Sequence, residues 1–526
     1  MTTMRLCIVG SGVAAVITAR AALERGYEVV MLEAGPRTPM RDSRRWLDFV
    51  TTGVRPYHAC EDSQGDANSR PGVQPERDHF LIKGSRLMAV GGSTLHWSGW
   101  TPRLQPEDLE LRKRTGKGND WPFSYTQLEP YYSQAESLLN VTGPNAPVDG
   151  HPTPWRSQPY KWNSPPYPIE SEPVRHALKA LGITYDHIPM SRRGPGGEGV
   201  GGPCMTFGTC RYCPMGARFD PTLLLADMES HPGFRLLASS PVLAVRMAGA
   251  VAQGVTYRTP EGETATLDAD AVLVAAGALE TPKLLWHSGF DEQRLPALGR
   301  YLVTHPMLKL EGKLAKPPRE FNGREVPMPA LFSRHFDTPE QQAAGKMIFS
   351  EYPEEPDLQS WVRQEQLAPE YIASFARESR LNLHGFIEEF PQAENRLRFT
   401  GKPGERQVEI HYAVDAGFAA RWQWMTDTLM QVMKTAGCRE SEVWVSGVIR
   451  RADHSVGTAR FGQGPDSGVV DGRHLVFGTK NLFALTNGNF PNNGAINPTL
   501  TLTALSLRFA DQVLPDLAPT RTTARP

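Results

Sequence analysis

The sequence has almost no excess charge and no long apolar run. Its 56 Lys and Arg residues are balanced by 57 Asp and Glu residues, so neither nucleic acid nor an anionic membrane surface is expected as the main partner. No apolar stretch approaches the roughly 20 residues that a membrane-spanning helix needs. Only three residues precede the first predicted strand, so no signal peptide is expected. We therefore predict a cytoplasmic protein, and export to the periplasm with a signal-bearing partner stays open.

Cysteine is scarce as well, with six residues among 526, which excludes a disulfide scaffold. The distribution is uneven, because Cys204, Cys210 and Cys213 fall close together. Glycine and proline are plentiful, at 48 and 45 residues, and predict long irregular connections around the core. A chain of this length exceeds what one hydrophobic core usually supports, so two or more domains are expected.

The stretch 4–35 is typical of a dinucleotide-binding βαβ unit. An apolar strand leads into Gly10-x-Gly12-x-x-Ala15, a helix follows, and a second strand ends at Glu33. Gly10 allows a tight turn, Gly12 lets a pyrophosphate approach the helix N-terminus, and Ala15 allows close packing of the helix on the strand. Glu33 stands where an acid can bind the adenosine ribose hydroxyls. This unit alone leaves FAD and NAD open.

A second strand–glycine–helix junction lies at Ala275-Ala276-Gly277 and could return the chain to the nucleotide. Farther on, alternating strands and the amphipathic helix Ala419–Thr435 predict a sheet-plus-helix insert. We therefore predict an α/β fold in which a Rossmann-like nucleotide-binding domain carries an inserted substrate domain. The nucleotide-binding domain is predicted to comprise residues 1–110, 195–309 and 451–526. The substrate domain and connecting segments are predicted at residues 111–194 and 310–450.

The order of these motifs resembles the GMC (glucose–methanol–choline) family of flavoprotein oxidoreductases. The segments that carry the resemblance, besides the glycine-rich start, are Gly91-Gly92-Ser93-Thr94, Ala275-Ala276-Gly277, the segment 454–462 (HSVGTARFG) and Asn497-Pro498-Thr499. Within the family, the bacterial sugar-oxidising branch is most similar: gluconate, fructose and glucose dehydrogenases, glucoside 3-dehydrogenases and pyranose oxidases. The resemblance implies a GMC fold, FAD as the cofactor, and oxidation of a hydroxyl group on a sugar or glycoside.

The resemblance also indicates which residues surround FAD. A helix that begins after Asn497 would direct its positive end at the reduced flavin. The predicted cofactor-binding residues are Gly10, Gly12, Ala15, Glu33, Arg86, Gly91, Gly92, Ser93, Thr94, His96, Val242, Ala276, Gly277, Asn487, Gly488, Asn497, Pro498 and Thr499. His96 matches the histidine that pyranose oxidases join covalently to the flavin, and a noncovalent contact with the flavin ring is the alternative.

His454 and Asn497 are the predicted catalytic residues. Oxidation of an alcohol by hydride transfer requires removal of the hydroxyl proton, and a neutral imidazole suits that role. His454 stands where the family places its catalytic base, and Asn497 matches the second member of the family's His–Asn pair. Asn497-Pro498 is also a favourable helix start, with an N-cap and a proline at the first position.

The spacing Cys204-x5-Cys210-x2-Cys213-Pro214 resembles the segment with which bacterial sugar dehydrogenases hold a three-iron [3Fe-4S] cluster. Proline commonly follows a cysteine ligand in iron–sulfur sites. Three free thiols are the first alternative. Zinc is the second, although no fourth ligand is evident nearby. A cluster would pass electrons from the flavin to an external acceptor, such as a cytochrome or one reached through a small subunit.

The sequence therefore predicts an FAD-dependent dehydrogenase that converts a sugar or glycoside hydroxyl to a ketone or lactone by hydride transfer to flavin N5. A reaction like that of glucoside 3-dehydrogenases is favoured. One alternative is a pyranose-oxidase-like enzyme that reduces oxygen to peroxide without an iron–sulfur cluster. The others are a non-redox lyase and a flavin-bearing interaction subunit.

Overall fold

The computed structural model describes residues 3–52, 54–63, 79–168, 171–196, 198–205, 210–314, 331–351, 380–405 and 407–517, so parts of the predicted insert (315–330 and 352–379) lie outside the described residues. The described helices are α1 (Val13–Glu24), α2 (Ser43–Thr52), α3 (Leu111–Thr115), α4 (Tyr125–Leu138), α5 (Glu172–Ala180), α6 (Thr222–Met228), α7 (Gly277–His287), α8 (Phe418–Thr435) and α9 (Thr499–Gln512). The described strands are β1 (Arg5–Val9), β2 (Glu28–Leu32), β3 (Val141–Gly143), β4 (Trp162–Asn163), β5 (Asp186–His187), β6 (Met190–Ser191), β7 (Phe234–Leu237), β8 (Val242–Ala248), β9 (Val251–Arg258), β10 (Thr264–Asp268), β11 (Ala271–Val274), β12 (Pro306–Lys313), β13 (Leu331–Phe336), β14 (Met347–Glu351), β15 (Arg380–Ile387), β16 (Arg396–Arg398), β17 (Glu409–His411), β18 (Trp444–Val445), β19 (Ile449–Arg450) and β20 (Leu482–Ala484).

A five-stranded parallel sheet in the order β20-β11-β1-β2-β7 is the base of the nucleotide-binding region. Strands β1 and β11 are almost wholly apolar because a central parallel strand is covered on both faces. The predicted βαβ unit is confirmed as β1, α1 and β2, and the second junction is confirmed where β11 passes into α7. The sheet brings together strands from both ends of the chain.

The closing helix α9 packs against α1 and α4. Its face toward them is apolar, with Leu500, Leu505 and Phe509 fully buried. Among the described helices, none is long and apolar enough to cross a lipid bilayer.

The predicted sheet-plus-helix insert is present as an antiparallel sheet in the order β18-β12-β15-β14-β13-β5, with β19 also paired to β12. Alternate residues of β12 and β15 face helix α8, where Leu308 and Leu383 pack in one core with Met425 and Leu429. Gly385 in β15 lets the helix approach, because a Cβ there would lie 2.7 Å from the Met425 sulfur. The opposite face of these strands turns toward the nucleotide-binding region.

Two elements cross the predicted domain boundaries. Strand β12 begins at Pro306, before the predicted boundary at 309/310, and belongs to the antiparallel sheet. Helix α4, which falls in the predicted substrate segment 111–194, packs on α9 beside the parallel sheet. The exact boundaries therefore stay predictions, while the two-sheet organisation is observed.

Candidate active site

A cavity of about 670 Å³ extends from the glycine-rich turn after β1 to the antiparallel sheet. Its volume lies in the range typical of small-molecule and cofactor sites. The predicted residues that line it are Gly10, Gly12, Glu33, Arg86, Gly92, Ser93, Thr94, His96, Val242, Ala276, Gly277, Asn487, Asn497, Pro498 and Thr499. The structure thus brings most of the predicted cofactor site together. Ala15, Gly91 and Gly488 lie behind this wall.

The glycines after β1 form a cradle that fits a pyrophosphate. Gly10 has a φ of +100°, and a Cβ there would lie 2.6 Å from the Ala275 carbonyl oxygen, so the turn requires glycine. Gly12 has an ordinary φ of −69°, and a Cβ there would meet nothing within 4 Å. The open space in front of Gly12 lies at the N-terminus of α1, where free N–H groups favour anions. These residues fit the diphosphate of FAD.

Protein donors hold Glu33 in place. Ser11 donates to one carboxylate oxygen from its backbone N–H (3.1 Å) and from its hydroxyl (2.7 Å), and the Gly35 N–H donates to the other oxygen (3.0 Å). Burial raises the pKa of Glu33, and these hydrogen bonds oppose that effect. The Ser11 hydroxyl also accepts from the Gly91 N–H at 2.9 Å, which ties the two glycine-rich loops together. Contact of Glu33 with ribose hydroxyls stays a prediction.

The loop that carries His96 rests directly on the first glycine-rich turn. Gly92 has a φ of +58°, and a Cβ there would lie 3.3 Å from the Gly12 Cα. The short helix Gly92–Leu95 then brings His96 to the cavity wall, where its ring meets Tyr57 edge to face at a centroid distance of 6.2 Å. Burial lowers the pKa of His96 to about 3, so one ring nitrogen keeps its lone pair at neutral pH. Covalent attachment stays a prediction.

Two predicted cofactor residues also have protein partners that the sequence did not reveal. Arg86 donates to Asp62 and to Glu280, each at 2.6 Å, so its charge is already balanced by two carboxylates. Asn487 donates from Nδ2 to the Ser455 carbonyl oxygen at 2.6 Å. That bond ties the segment after β20 to the one that carries His454.

The predicted catalytic pair meets at the cavity wall. His454 Nε2 lies 3.1 Å from Asn497 Nδ2, although the two residues are 43 positions apart. Helix α9 begins at Thr499 with Pro498 at the N-cap position, one residue later than the sequence indicates, and the Asn497 amide meets His454 rather than capping the helix. Burial lowers the pKa of His454, so its imidazole is neutral and able to accept a proton at neutral pH.

His305 completes this group, and sequence reasoning missed it. Its Nδ1 lies 3.2 Å from His454 Nδ1, and its Nε2 lies 2.9 Å from the Gly494 carbonyl oxygen. The ring is 3% exposed, and burial lowers its pKa to about 3. In the sequence it is a histidine at the start of a strand, and only the tertiary pairing distinguishes it from an ordinary core histidine.

Three strands supply an apolar floor beside the histidines. Met307 of β12 is paired with Phe386 of β15 and with Ile449 of β19, and all three residues line the cavity. The Phe386 ring lies 5.8 Å from the His454 ring, measured between centroids. His384 lines the same region and adds a polar group to it. A substrate could therefore rest apolar C–H groups on this floor while a hydroxyl points at His454.

The cysteine segment does not show a metal site. Cys204, Cys210 and Cys213 are partly exposed and not disulfide-bonded, and residues 206–209 between them lie outside the described residues. Within the described ranges, no group of three or more His, Cys, Asp or Glu side chains is arranged to hold a metal ion. The described residues therefore do not show an iron–sulfur site, and the predicted cluster stays a prediction.

Comparisons with known proteins address the family and the fold. Residues 76–307 and 391–506, together more than half of the 526-residue chain, match an N-terminal and a C-terminal family model, both described as GMC oxidoreductase. Relatives include the fructose dehydrogenase large subunit of Gluconobacter japonicus, 26% identical over 97% of both chains. The C-glycoside 3-oxidase of Microbacterium trichothecenolyticum is 25% identical over 98% of both. Pyridoxine 4-oxidase from Mesorbium loti shares the fold, with a TM-score of 0.64 over 97% of this chain and 99% of that one at 17% identity.

Proposed function

The chain belongs to the GMC oxidoreductase family, and from that premise we propose that it oxidises a hydroxyl group of a sugar or glycoside to a ketone or lactone, with His454 as the base. FAD, when bound, supplies the acceptor for the hydride that leaves the alcohol carbon. The observation that carries the proposal is the pairing of His454 Nε2 with Asn497 Nδ2, 3.1 Å apart, on the wall of the cavity that begins at the Gly12 cradle.

His454 and Asn497 have different roles toward the alcohol: His454 accepts the proton, and Asn497 orients the oxygen. The hydroxyl proton passes to His454 Nε2 while the hydride leaves the carbon, so the product is a carbonyl compound. The Asn497 amide orients the substrate oxygen without competing for its proton. The N-terminal turn of α9 begins at Thr499, two residues after Asn497, and its backbone N–H groups add positive potential on this side of the cavity.

A sugar or glycoside suits the floor of the site. Met307, Phe386 and Ile449 present an apolar surface beside polar side chains, and a sugar offers an apolar C–H face with hydroxyl groups at its edge. The names of two full-length relatives, a fructose dehydrogenase and a C-glycoside 3-oxidase, support the same substrate class. Within that class we favour oxidation of a glycoside at a secondary hydroxyl, as in glucoside 3-dehydrogenases.

The proposal is tested by anaerobic reduction of the bound flavin. Purified holoenzyme is mixed without oxygen with free sugars and with glycosides, and flavin absorbance is followed while NMR locates the oxidised carbon. Bleaching by at least one sugar or glycoside is expected, and His454→Gln should keep its flavin but slow bleaching by about 10²- to 10⁴-fold. A flavin that no sugar or glycoside reduces would favour a non-redox lyase. Unchanged bleaching in His454→Gln would remove the histidine from its proposed role.

The electron acceptor is either a partner protein, which is the dehydrogenase arm of the proposal, or oxygen, which is the oxidase arm. The cysteine spacing, together with the name "large subunit" of the fructose dehydrogenase relative, supports a dehydrogenase that delivers electrons to a cytochrome through a partner subunit. The second arm, an oxidase, is supported by the C-glycoside 3-oxidase relative. Iron and acid-labile sulfide are measured on the purified protein alongside oxygen uptake. Iron-free protein with rapid peroxide formation would exclude the dehydrogenase arm, and iron with slow oxygen uptake would exclude the oxidase arm.

Covalent attachment of FAD at His96 has a separate test. Acid precipitation of the holoenzyme separates free flavin from protein-bound flavin. Flavin that stays with the wild-type polypeptide and is released from His96→Ala would support attachment. Full release from the wild type would leave the noncovalent contact as the role of His96.

A further inference from the structure

His305 occupies a position that the reaction itself does not explain. It is nearly fully buried, lies immediately before β12, and contacts His454 on the ring nitrogen that faces away from Asn497. The two imidazoles meet edge to face, with centroids 5.2 Å apart. We propose that His305 is a positioning residue that fixes the tautomer of His454, so that the proton resides on Nδ1 and the lone pair on Nε2.

The Gly494 carbonyl oxygen determines the tautomer of His305. A carbonyl oxygen can only accept a hydrogen bond, so His305 Nε2, which lies 2.9 Å away, has to carry the proton. A neutral imidazole has one N–H. Since burial lowers the pKa of His305 to about 3, the ring is neutral near pH 7 and its Nδ1 is a bare acceptor.

The tautomer of His305 in turn determines which ring nitrogen of His454 carries the proton. Two bare nitrogens 3.2 Å apart would place two lone pairs against each other, so His454 Nδ1 has to be the donor in the contact between the rings. His454 is then left with a lone pair on Nε2, the nitrogen that faces Asn497. That nitrogen is the one that a base needs, because it faces Asn497, which lines the cavity beside it. Without His305, His454 could also adopt the tautomer with the proton on Nε2, and Nε2 could then not accept the substrate proton.

The loop around Asn493 holds both histidines, one by its backbone and one by its ring. Asn493 donates from Nδ2 to the His454 carbonyl oxygen at 3.2 Å, and the neighbouring Gly494 holds His305. The loop that ends in Asn497 therefore fixes the base through His305 as well as contacting it directly. This arrangement lets one backbone loop set the orientation of both catalytic side chains.

This inference rests on the proposed role of His454 as the base, and the test separates the two. In holoenzyme labelled with ¹⁵N-histidine, the ¹⁵N shifts show which ring nitrogen carries the proton, and His454→Gln identifies the His454 signals. We expect the proton on Nδ1 with no substrate present and no turnover. A proton on Nε2 in the wild-type protein would overturn the inference about His305, whatever the activity of His454→Gln.

Two substitutions extend the test. His305→Asn places an amide oxygen where Nδ1 was, so it keeps an acceptor for His454, whereas His305→Leu fills the space without one. In His305→Leu we expect a mixture of His454 tautomers and a fall in kcat of at least about 10-fold with KM little changed, since only the competent fraction of the base and its orientation are lost. His305→Asn should recover most of this loss and a single tautomer. Equal activity of the leucine variant and the wild type would overturn the inference, and so would a single Nδ1–H tautomer in the leucine variant.

Discussion

Gly10 and Gly12 stand two positions apart and have different physical reasons to be glycine. Gly10 has a left-handed backbone conformation, and its missing side chain prevents a clash with the Ala275 carbonyl oxygen. Gly12 has neither constraint, since its φ is −69° and a Cβ would meet no protein atom within 4 Å. The fold itself therefore accepts a side chain at Gly12, and only a ligand that uses the space would be displaced.

Gly12→Ala should fold normally and lose FAD. The added methyl group enters the space in front of the α1 N-terminus, so we expect an unchanged melting temperature of the flavin-free protein and FAD affinity at least about 10-fold weaker, as expected for lost close approach of the pyrophosphate. Titration of FAD into flavin-free protein measures this change. Gly464→Ala is the matched control, because a Cβ there also meets nothing within 4 Å. Equal FAD affinity in Gly12→Ala and the control would contradict the predicted cradle.

The pH dependence of the reaction should follow His454. Burial is the main cause that lowers its pKa; the nearby Asp453 raises it and Arg451 lowers it further. The base is active only when unprotonated, so kcat/KM should rise as pH rises through a value below the ordinary imidazole pKa of about 6.5 and then stay level to about pH 8. Anaerobic flavin reduction across this range gives the profile. Activity that appears only above about pH 7 would contradict the assignment of His454.

Residues whose role depends on local geometry could be predicted from the sequence. The Gly10–Glu33 unit is set by neighbours along the chain, and the His454–Asn497 pair could be inferred because both positions match family motifs. His305 could not, since its role depends on a contact with a residue 149 positions away. The ion pairs of Arg86 were missed for the same reason, because Glu280 lies 194 positions further along the chain.

At the scale of elements, the contact between β15 and α8 controls the floor of the site. The side chains of β15 alternate, so Leu383 packs toward α8 and Phe386 lines the cavity, with Gly385 between them. A shift of α8 away from the sheet would therefore move the floor. Strand β12, which contributes Met307, begins before the domain boundary that composition suggested, because a strand is defined by its pairing partners rather than by composition.

Gly385→Ala should loosen this contact. The new methyl group would lie 2.7 Å from the Met425 sulfur and 2.9 Å from a Leu429 methyl carbon, so we expect a loss of about 1–3 kcal/mol in the free energy of unfolding and a higher KM. Urea denaturation and steady-state kinetics measure the two effects. Met425→Ala in the same chain should restore part of the stability, and Gly447→Ala, where a Cβ meets nothing within 4 Å, is the control. Additive losses in the double variant would contradict the proposed clash.

At the scale of the whole molecule, a buried ionic cluster connects the antiparallel sheet to the loop from Asn492 to Asn497. Lys346 Nζ lies 2.7 Å from Asp108, 3.1 Å from Glu107 and 3.2 Å from Asp337. The Asp108 carbonyl oxygen accepts from Asn492 Nδ2 at 3.0 Å, and Asn492 begins the loop that leads to Asn497. The loop that carries Asn497 is thus supported by the buried ionic cluster through Asn492.

Lys346→Met should be strongly destabilising. It leaves three buried carboxylates without their shared cation, and breaking a buried ion pair from one side typically costs about 3–5 kcal/mol. The control is Lys434→Met, which breaks an exposed pair with Glu440 and should cost no more than about 1 kcal/mol. Urea denaturation compares the two variants. Similar small losses in both would show that the buried cluster does not contribute to stability as proposed.

Glu388 gives the same cluster a pH dependence. Burial is the main cause that raises its pKa to about 8, and Asp108 raises it further, whereas Lys346 lowers it. Between about pH 4.3 and about pH 8, Glu388 is therefore protonated in the folded protein and ionised in the unfolded chain. Protonated Glu388 thus contributes fully to the free energy of unfolding below this range, and its contribution is lost as pH rises through it. Glu388→Gln keeps a neutral side chain, and we expect its urea midpoint to fall less than that of the wild type between about pH 6 and about pH 8. Parallel curves would contradict the shift.

The parallel sheet also bears on how the protein is made in the cell. Gly12 and Thr499 border the same cavity, and β20 joins the sheet next to β11 after some 200 intervening residues. Gly12 is therefore synthesised long before Thr499, and FAD can be captured fully only after the segment around Thr499 has been synthesised. Until then the nascent chain carries an incomplete sheet with an open edge. Flavin supply and chaperone access during that interval should govern how much active protein a cell obtains.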